Sequence, residues 1–162
     1  MNKSIYSKYA FYFFLFFSIF TLDRISKIYI LNIANNEELN IYINEFLNII
    51  LIWNTGIGFG LLSFSDNFLY NAITFIILLI NFILIYLAVV SNSIKRILYI
   101  VILGGSFGNL FDRFYYSAVP DFIDINFNGY HWFVFNVADI FISIGITCLI
   151  FMEILDYKKL SK

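Results

Sequence analysis

Apolar residues dominate the chain in long runs that are broken by short polar or charged stretches. The clearest run, residues 68–91, contains no charged side chain and has the length of about 20 apolar residues that a membrane-spanning helix needs. Three further runs each contain or adjoin a charge, and they predict helices at about 9–31, 96–115 and 136–156. The pattern therefore predicts an all-α integral membrane protein with four transmembrane helices.

The segment between the first two predicted helices, residues 32–67, has a different pattern. Within it, residues 39–53 place apolar side chains at alternate positions such as Ile41 and Ile43, which is typical of short β-strands. Asparagine-rich breaks limit the length of these strands. We therefore expect a small β-sheet beside the helices, at the outer surface of the membrane.

The composition supports a membrane environment. Hydrophobic residues make up 61% of the 162 residues and charged residues 13%, whereas soluble domains have about 45–50% and about 25%. The length suits a single domain covering residues 1–162. A net charge of −1 indicates no nucleic-acid partner. The only cysteine, Cys148, lies in an apolar run, where we expect a packed thiol.

Basic residues predict the orientation of the helices. Seven of the ten lie on one side of the four-helix topology: Lys3, Lys8, Lys95, Arg96, Lys158, Lys159 and Lys162. Because short cytoplasmic segments carry an excess of Lys and Arg, we expect both termini to be cytoplasmic. The segment 32–67, which has no Lys or Arg, is then extracytoplasmic.

Three carboxylates reach a similar depth in this topology. Asp23, Asp112 and Asp139 each lie 14 to 16 residues from a charge at the cytoplasmic boundary, which is roughly 21–24 Å along a helix. Asp121 and Asp124 follow in the outer segment after the third helix. Ionisable groups at such depth are costly and mark functional sites, although each alone could also be an anchor at a helix end.

Each carboxylate has a polar companion at helical spacing: Asn109 with Asp112 and Arg113, Asn136 with Asp139, and Asp23 with Lys27. Arg113 can hold carboxylates ionised or bind a backbone carbonyl through its fork of donors. Asn54 and Gly56 lie in a glycine-rich turn whose backbone can approach a ligand.

The residues leave several chemistries open. Two carboxylates in one site act as an acid and a base in aspartic peptide hydrolysis. Clustered Asp residues could instead bind Mg²⁺ in a phosphotransferase. Gly104–Gly108 spells G-x-S-x-G around Ser106, so a serine hydrolase using His131 is a third possibility, although that motif needs a strand-to-helix turn. A transporter subunit would explain buried charges but not their clustering.

Five blocks together resemble the bacterial lipoprotein signal peptidases, or type II signal peptidases. In chain order these are Asp23-x-x-x-Lys27, Asn54-x-Gly56-x-x-Phe59-Gly60, Gly104-Gly105-x-x-Gly108-Asn109-x-x-Asp112-Arg113, Val119-x-Asp121-Phe122 and Phe135-Asn136-x-Ala138-Asp139. The resemblance covers about residues 20–145. It departs from the family at Phe133, where proline is frequent, and at Ser106, where alanine is common, so Ser106 is expected to be dispensable.

This resemblance implies an aspartic endopeptidase of the bacterial cytoplasmic (inner) membrane, with its active site near the extracytoplasmic surface. Its substrates would be prolipoproteins, cleaved just before a diacylglyceryl-modified cysteine, and its other partners membrane lipid and globomycin-type inhibitors. Asp121 and Asp139 would be catalytic, without cofactor or metal. The supporting residues would be Asp23, Lys27, Asn54, Gly56, Asn109, Arg113 and Asn136. Asp112 would support helix packing, and residues 39–53 would form a β-cradle.

Overall fold

The computed structural model describes residues 3–35, 39–56, 67–127 and 130–160. They form four long helices and four strands. The helices are α1 (Lys3–Ala34), α2 (Asn67–Val90), α3 (Ser93–Tyr116) and α4 (Val137–Leu160), and the strands are β1 (Asn40–Asn44), β2 (Leu47–Asn54), β3 (Val119–Phe127) and β4 (Tyr130–Phe135). The motif residues Gly58, Phe59 and Gly60 lie outside the described residues.

Helix α3 is central and packs against the other three helices. A Cβ atom at Gly105 would lie 2.5 Å from the carbonyl oxygen of Ala138 on α4, and one at Gly108 would collide with the carboxylate of Asp23 on α1. These two glycines therefore let the backbones approach closely, as small residues do between membrane helices.

Three helices among the described residues are long and apolar enough to cross a membrane: Phe68–Val90, Ser93–Tyr116 and Val137–Lys158. Helix α1 is not among them. It is the longest helix, with 32 residues, and carries Asp23, Arg24 and Lys27 in its second half. The finding supports a multi-pass membrane protein, and the predicted fourth span remains a prediction.

The four strands form one antiparallel sheet in the order β1-β2-β3-β4. The prediction of strands within residues 39–53 is confirmed by β1 and β2, whereas β3 and β4 were not predicted. Their sequence carries a signal, because Ile123, Ile125 and Phe127 alternate with polar residues and Asn128-Gly129 is a preferred hairpin dipeptide. The single sheet joins the segment after α1 to the segment after α3.

The expectation for Cys148 is wrong. Its side chain is exposed rather than packed, because it lies on an outward stripe of α4 with Ile144, Thr147 and Phe151, which are also exposed. In a membrane helix such a stripe contacts lipid, whose apolar chains accept a thiol as well as a protein core does.

Candidate active site

Helices α2, α3 and α4 enclose a cleft of about 590 Å³ that ends at the sheet. Its polar end is lined by Asn54, Asn109, Arg113, Asp121 and Asp139. The rest of the lining is mostly apolar and comes from all three helices: Ile77, Ile80, Leu84, Ile102, Ile142, Ile146, Leu149 and Ile150. The cleft therefore joins a polar end to a long apolar trough.

Strand β3 brings Asp121 to the polar end of the cleft. The chain leaves α3 through Ser117, which has a left-handed conformation with φ of 57°, and enters β3 at once. The side chain of Asp121 is 2% exposed. Its two oxygens accept hydrogen bonds from the side-chain amides of Asn54 (2.8 Å) and Asn136 (2.6 Å), which are neutral donors.

Asp139 lies in the first turn of α4, where it forms a reciprocal cap with Asn136. The backbone N–H of Asp139 donates to the Asn136 side chain at 3.2 Å, and the backbone N–H of Asn136 donates to the Asp139 carboxylate at 3.2 Å. Both bonds satisfy N–H groups that have no partner inside a helix. The positive end of the helix dipole favours the ionised carboxylate at this position.

Asn136 connects the two carboxylates, since its amide nitrogen contacts Asp121 and its amide oxygen and backbone contact the Asp139 residue. Within the described part of the chain, neither Asp121 nor Asp139 is within ion-pair distance of a cationic group. Burial, and then the charge of Asp139, raise the pKa of Asp121 to about 7, against the opposing effect of the Asn54 and Asn136 hydrogen bonds.

A second acidic cluster lies directly behind Asp139, between α1 and α3. Lys27, which is fully buried, donates to Asp23 (2.9 Å) and Asp112 (2.7 Å). Arg24 donates to both oxygens of Asp112, at 2.5 and 2.7 Å, and to Asp23 at 2.9 Å. The cluster therefore holds two anions and two cations. Asp112 thus joins the two helices, as expected, whereas the role of Arg24 was not predicted.

This charge-balanced cluster is connected to the polar end of the cleft by two hydrogen-bond paths. Lys27 donates to the side-chain oxygen of Asn109 (2.7 Å), whose amide nitrogen donates to Asp139 (2.8 Å). Asp23 accepts the backbone N–H of Ala138 at 3.0 Å. Lys27 therefore fixes which end of the Asn109 amide faces Asp139, and Asp23 holds the first turn of α4.

Arg113 holds the turn after β2. It donates a short hydrogen bond to the backbone carbonyl of Gly56, whose N–H in turn donates to the side chain of Asn54 at 2.8 Å. Of the two interpretations from the sequence, the structure shows the contact with a backbone carbonyl. The guanidinium lies 5.3 Å from the ring centre of Tyr70, and its Nη1 is buried without a hydrogen-bond partner among the described residues.

The alternative chemistries find less support in the geometry. Gly104–Gly108 lies inside α3, so Ser106 does not stand on a strand-to-helix turn. His131 contacts Asp124 at 2.8 Å on the sheet instead. Among the described residues, no group of three His, Cys, Asp or Glu side chains could hold a metal ion.

Comparison with known proteins decides the family. The model of a family described as signal peptidase (SPase) II matches residues 15–155. The chain belongs to the signal peptidase II family. The lipoprotein signal peptidase of Pelagibacter ubique is 53% identical over 133 residues, covering 82% of this chain and 80% of that protein. The lipoprotein signal peptidase of Anaplasma phagocytophilum is 38% identical over 136 residues, covering 82% and 84%.

Solved structures agree with this assignment. A bacterial membrane enzyme determined at 2.3 Å resolution is similar with a TM-score of 0.76 and 28% identity, covering 93% of this chain and 91% of that one. Membership of the signal peptidase II family makes the chain an aspartic-type membrane peptidase of the bacterial inner membrane that removes signal peptides.

Proposed function

We propose that Asp121 and Asp139 are the catalytic pair, and that the enzyme cleaves prolipoproteins just before the diacylglyceryl-modified cysteine. The observation that carries the proposal is the sharing of one neutral asparagine by two buried carboxylates at the end of the cleft. The other members of the site are supports: Asp23, Lys27, Asn54, Gly56, Asn109, Arg113 and Asn136.

The roles of the two carboxylates follow from their surroundings. Asp139 lies at the positive end of α4 and accepts two N–H donors, so it stays ionised and accepts a proton from the attacking water. Asp121 lies on a buried strand and has a pKa raised to about 7 by burial and by Asp139, so it holds a proton. As water attacks the scissile carbonyl, Asp121 protonates the carbonyl oxygen and a gem-diol forms. The C–N bond then breaks as the departing amine receives the proton that Asp139 took. A hydroxyl of the gem-diol returns its proton to Asp121 as the new carboxyl group forms, which restores the starting pair.

The cleft suits the substrate of such a reaction. The apolar trough along α2, α3 and α4 has the character of a site for a signal helix that enters sideways from the bilayer. Nη1 of Arg113, which is buried at the polar end and has no partner among residues 3–35, 39–56, 67–127 and 130–160, can donate to a substrate carbonyl near the scissile bond. The lipid chains on the cysteine would stay in the bilayer.

The experiment is cleavage of a lipidated precursor by purified Asp121→Asn and Asp139→Asn enzymes. Each change should lower kcat/KM by at least about a hundredfold, because each removes a general acid or base. Asp156→Asn is the matched control, since Asp156 is half-exposed and pairs with Lys95 near the other end of α4. Thermal unfolding and protection by globomycin should show that the inactive variants fold. Full activity in either variant would refute the pair, and inhibition by EDTA would favour a metal mechanism.

We further propose that α1 is a fourth span, that both termini are cytoplasmic and that the whole chain is one peptidase domain with its site near the extracytoplasmic surface. The hydrogen-bond network that joins α1, α3, α4 and the sheet supports a single unit. In a Cys148→Ser background, an impermeant maleimide should label Asn40→Cys in intact spheroplasts and Ser93→Cys only after permeabilisation. The opposite result would invert the topology.

A further inference from the structure

The cleft contains two serine hydroxyl groups between its polar end and its apolar trough. Ser106 lies three residues before Asn109 on α3, and Ser143 lies four residues after Asp139 on α4; both line the cleft. The two helices run antiparallel, because Gly105 contacts Ala138 while Ile102 contacts Gly145. Both serines therefore lie about one helical turn below the carboxylates, at a rise of about 1.5 Å per residue.

Within the described part of the chain, neither hydroxyl group has a hydrogen-bond partner. Polar side chains in membrane helices commonly donate to the carbonyl four residues earlier, as Thr74 does to Tyr70 at 2.9 Å and Asn81 to Ile77 at 2.8 Å. Among the described residues, neither Ser106 nor Ser143 has such a bond, and both are partly exposed in the cleft. Each is a free donor in largely apolar surroundings, where an unpaired polar group is costly.

A signal segment would bring groups that need such donors. Inside a bilayer its backbone must be helical, because lipid offers no hydrogen bonds. The scissile amide must leave this helix to reach the carboxylates, so the signal helix ends just before the scissile amide. The last four carbonyls of the helix then have no hydrogen-bond partners within it. With the scissile bond at Asp121 and Asp139, these carbonyls lie about one turn lower, at the level of Ser106 and Ser143.

We infer that Ser106 and Ser143 bind the free carbonyls at the end of the substrate's signal helix, as a helix cap supplied by the enzyme. The inference rests on the proposed function, since it requires the signal helix to lie in the cleft. Because the contact is with backbone carbonyls, it favours an unwound helix end without selecting particular side chains. It gives Ser106 a binding role, in place of the nucleophilic role that its motif suggested and of the dispensability that the family resemblance implied.

The first test is kinetic and uses Ser106→Ala, Ser143→Ala and the double variant of the full chain. Each hydroxyl removed should raise KM about three- to tenfold with kcat nearly unchanged, since a hydrogen bond made in both the ground and transition states is lost. Thr147→Val is the matched control. It removes a hydroxyl from the next turn of α4, where Thr147 is exposed outside the cleft, and it should leave KM unchanged.

The second test identifies the acceptor. Four lipidated peptides are compared as substrates of the wild type and the double variant. Each carries a single thioamide, which is a weaker hydrogen-bond acceptor than an amide, at a different one of the four peptide bonds before the scissile bond. At one or two positions the thioamide should raise KM for the wild type but add nothing for the double variant. Unchanged KM in the serine variants, or equal thioamide effects on both enzymes, would overturn the inference.

The outcomes also separate this inference from the proposed function. If wild-type enzyme cleaves normally while the serine variants match it, only the hydroxyl contact is wrong. If Asp121→Asn and Asp139→Asn remain active, the proposed function itself is wrong. Complete loss of kcat in Ser106→Ala, with Ser143→Ala unaffected, would indicate a nucleophilic serine and overturn both.

Discussion

Two groups of buried carboxylates lie side by side in this protein and differ in their partners. Asp23 and Asp112 contact Arg24 and Lys27, so their charges are balanced. Among the described residues, the hydrogen-bond donors to Asp121 and Asp139 are asparagine amides and a backbone N–H group. The ion pairs of Asp112 with Arg24 and Lys27 hold α1 and α3 together. The two without cations are the pair that we propose shares a proton, which is a condition for acid–base chemistry.

Because the charges of Asp23 and Asp112 are balanced by Arg24 and Lys27, we expect this cluster to contribute strongly to the stability of the fold. Lys27→Met leaves two buried carboxylates facing Arg24 alone, so the free energy of unfolding should fall by about 3 to 5 kcal/mol. Denaturation in detergent micelles measures it. Lys95→Met is the matched control, because Lys95 pairs with the exposed carboxylates of Glu153 and Asp156, and such pairs contribute about 0–1 kcal/mol.

A compensating change tests the reason. In Lys27→Met with Asp112→Asn, one anion and one cation have been removed and Asp23 still pairs with Arg24. The double variant should therefore be more stable than Lys27→Met alone. If the losses in free energy of unfolding caused by the two substitutions simply add, charge balance does not stabilise the cluster. The proposed difference between the two groups of carboxylates would then be wrong.

The sequence identified the buried carboxylates, but it did not predict which of them pair with cations and which do not. Charge depth along the helices picked out Asp23, Asp112 and Asp139 as one layer, and the motif blocks added Asp121. Depth alone cannot show which carboxylates have cations, because that depends on the direction of each side chain across the helix interface. Arg24 shows why: it follows Asp23 directly, and neighbours in a helix do not face each other, yet its long side chain reaches both Asp23 and Asp112.

The unbalanced pair should make stability depend on pH. The pKa of Asp121 rises from an ordinary 3.8 to about 7 on folding, so the folded state holds a proton that the unfolded state releases. This contribution is fully present below pH 3.8 and is lost as pH rises through about 7. It amounts to roughly 4 kcal/mol at most, at about 1.4 kcal/mol per pKa unit.

Unfolding temperatures measured from pH 4 to pH 8 check this dependence. The decline should be weaker in Asp121→Asn, which has no proton to lose, and unchanged in the control Asp156→Asn. Equal declines in wild type and Asp121→Asn would mean that Asp121 is ionised throughout this pH range.

The same proton should limit catalysis. If Asp121 is the acid, as we propose, kcat/KM should fall above pH 7 by about tenfold for each pH unit, the slope for loss of one essential proton. Cleavage of a lipidated peptide between pH 5 and pH 9, in a detergent that keeps the enzyme folded throughout, gives the profile. A constant kcat/KM up to pH 9 would show that the proton needed for catalysis is not held by Asp121.

A substitution at Asp124 tests the difference between the two groups of carboxylates once more, and we expect it to have the smallest effect on catalysis. Asp124 is fully buried on β3, three residues after Asp121, and is held by Asn48 (3.0 Å) and His131 (2.8 Å). It has a histidine partner and no second carboxylate within hydrogen-bond reach among the described residues. If catalysis requires two carboxylates that share neutral donors, Asp124→Asn should change kcat/KM less than about threefold and lower stability by about 1 kcal/mol. A loss as large as that of Asp121→Asn would show that burial near the cleft, rather than the missing cation, determines which carboxylates are catalytic.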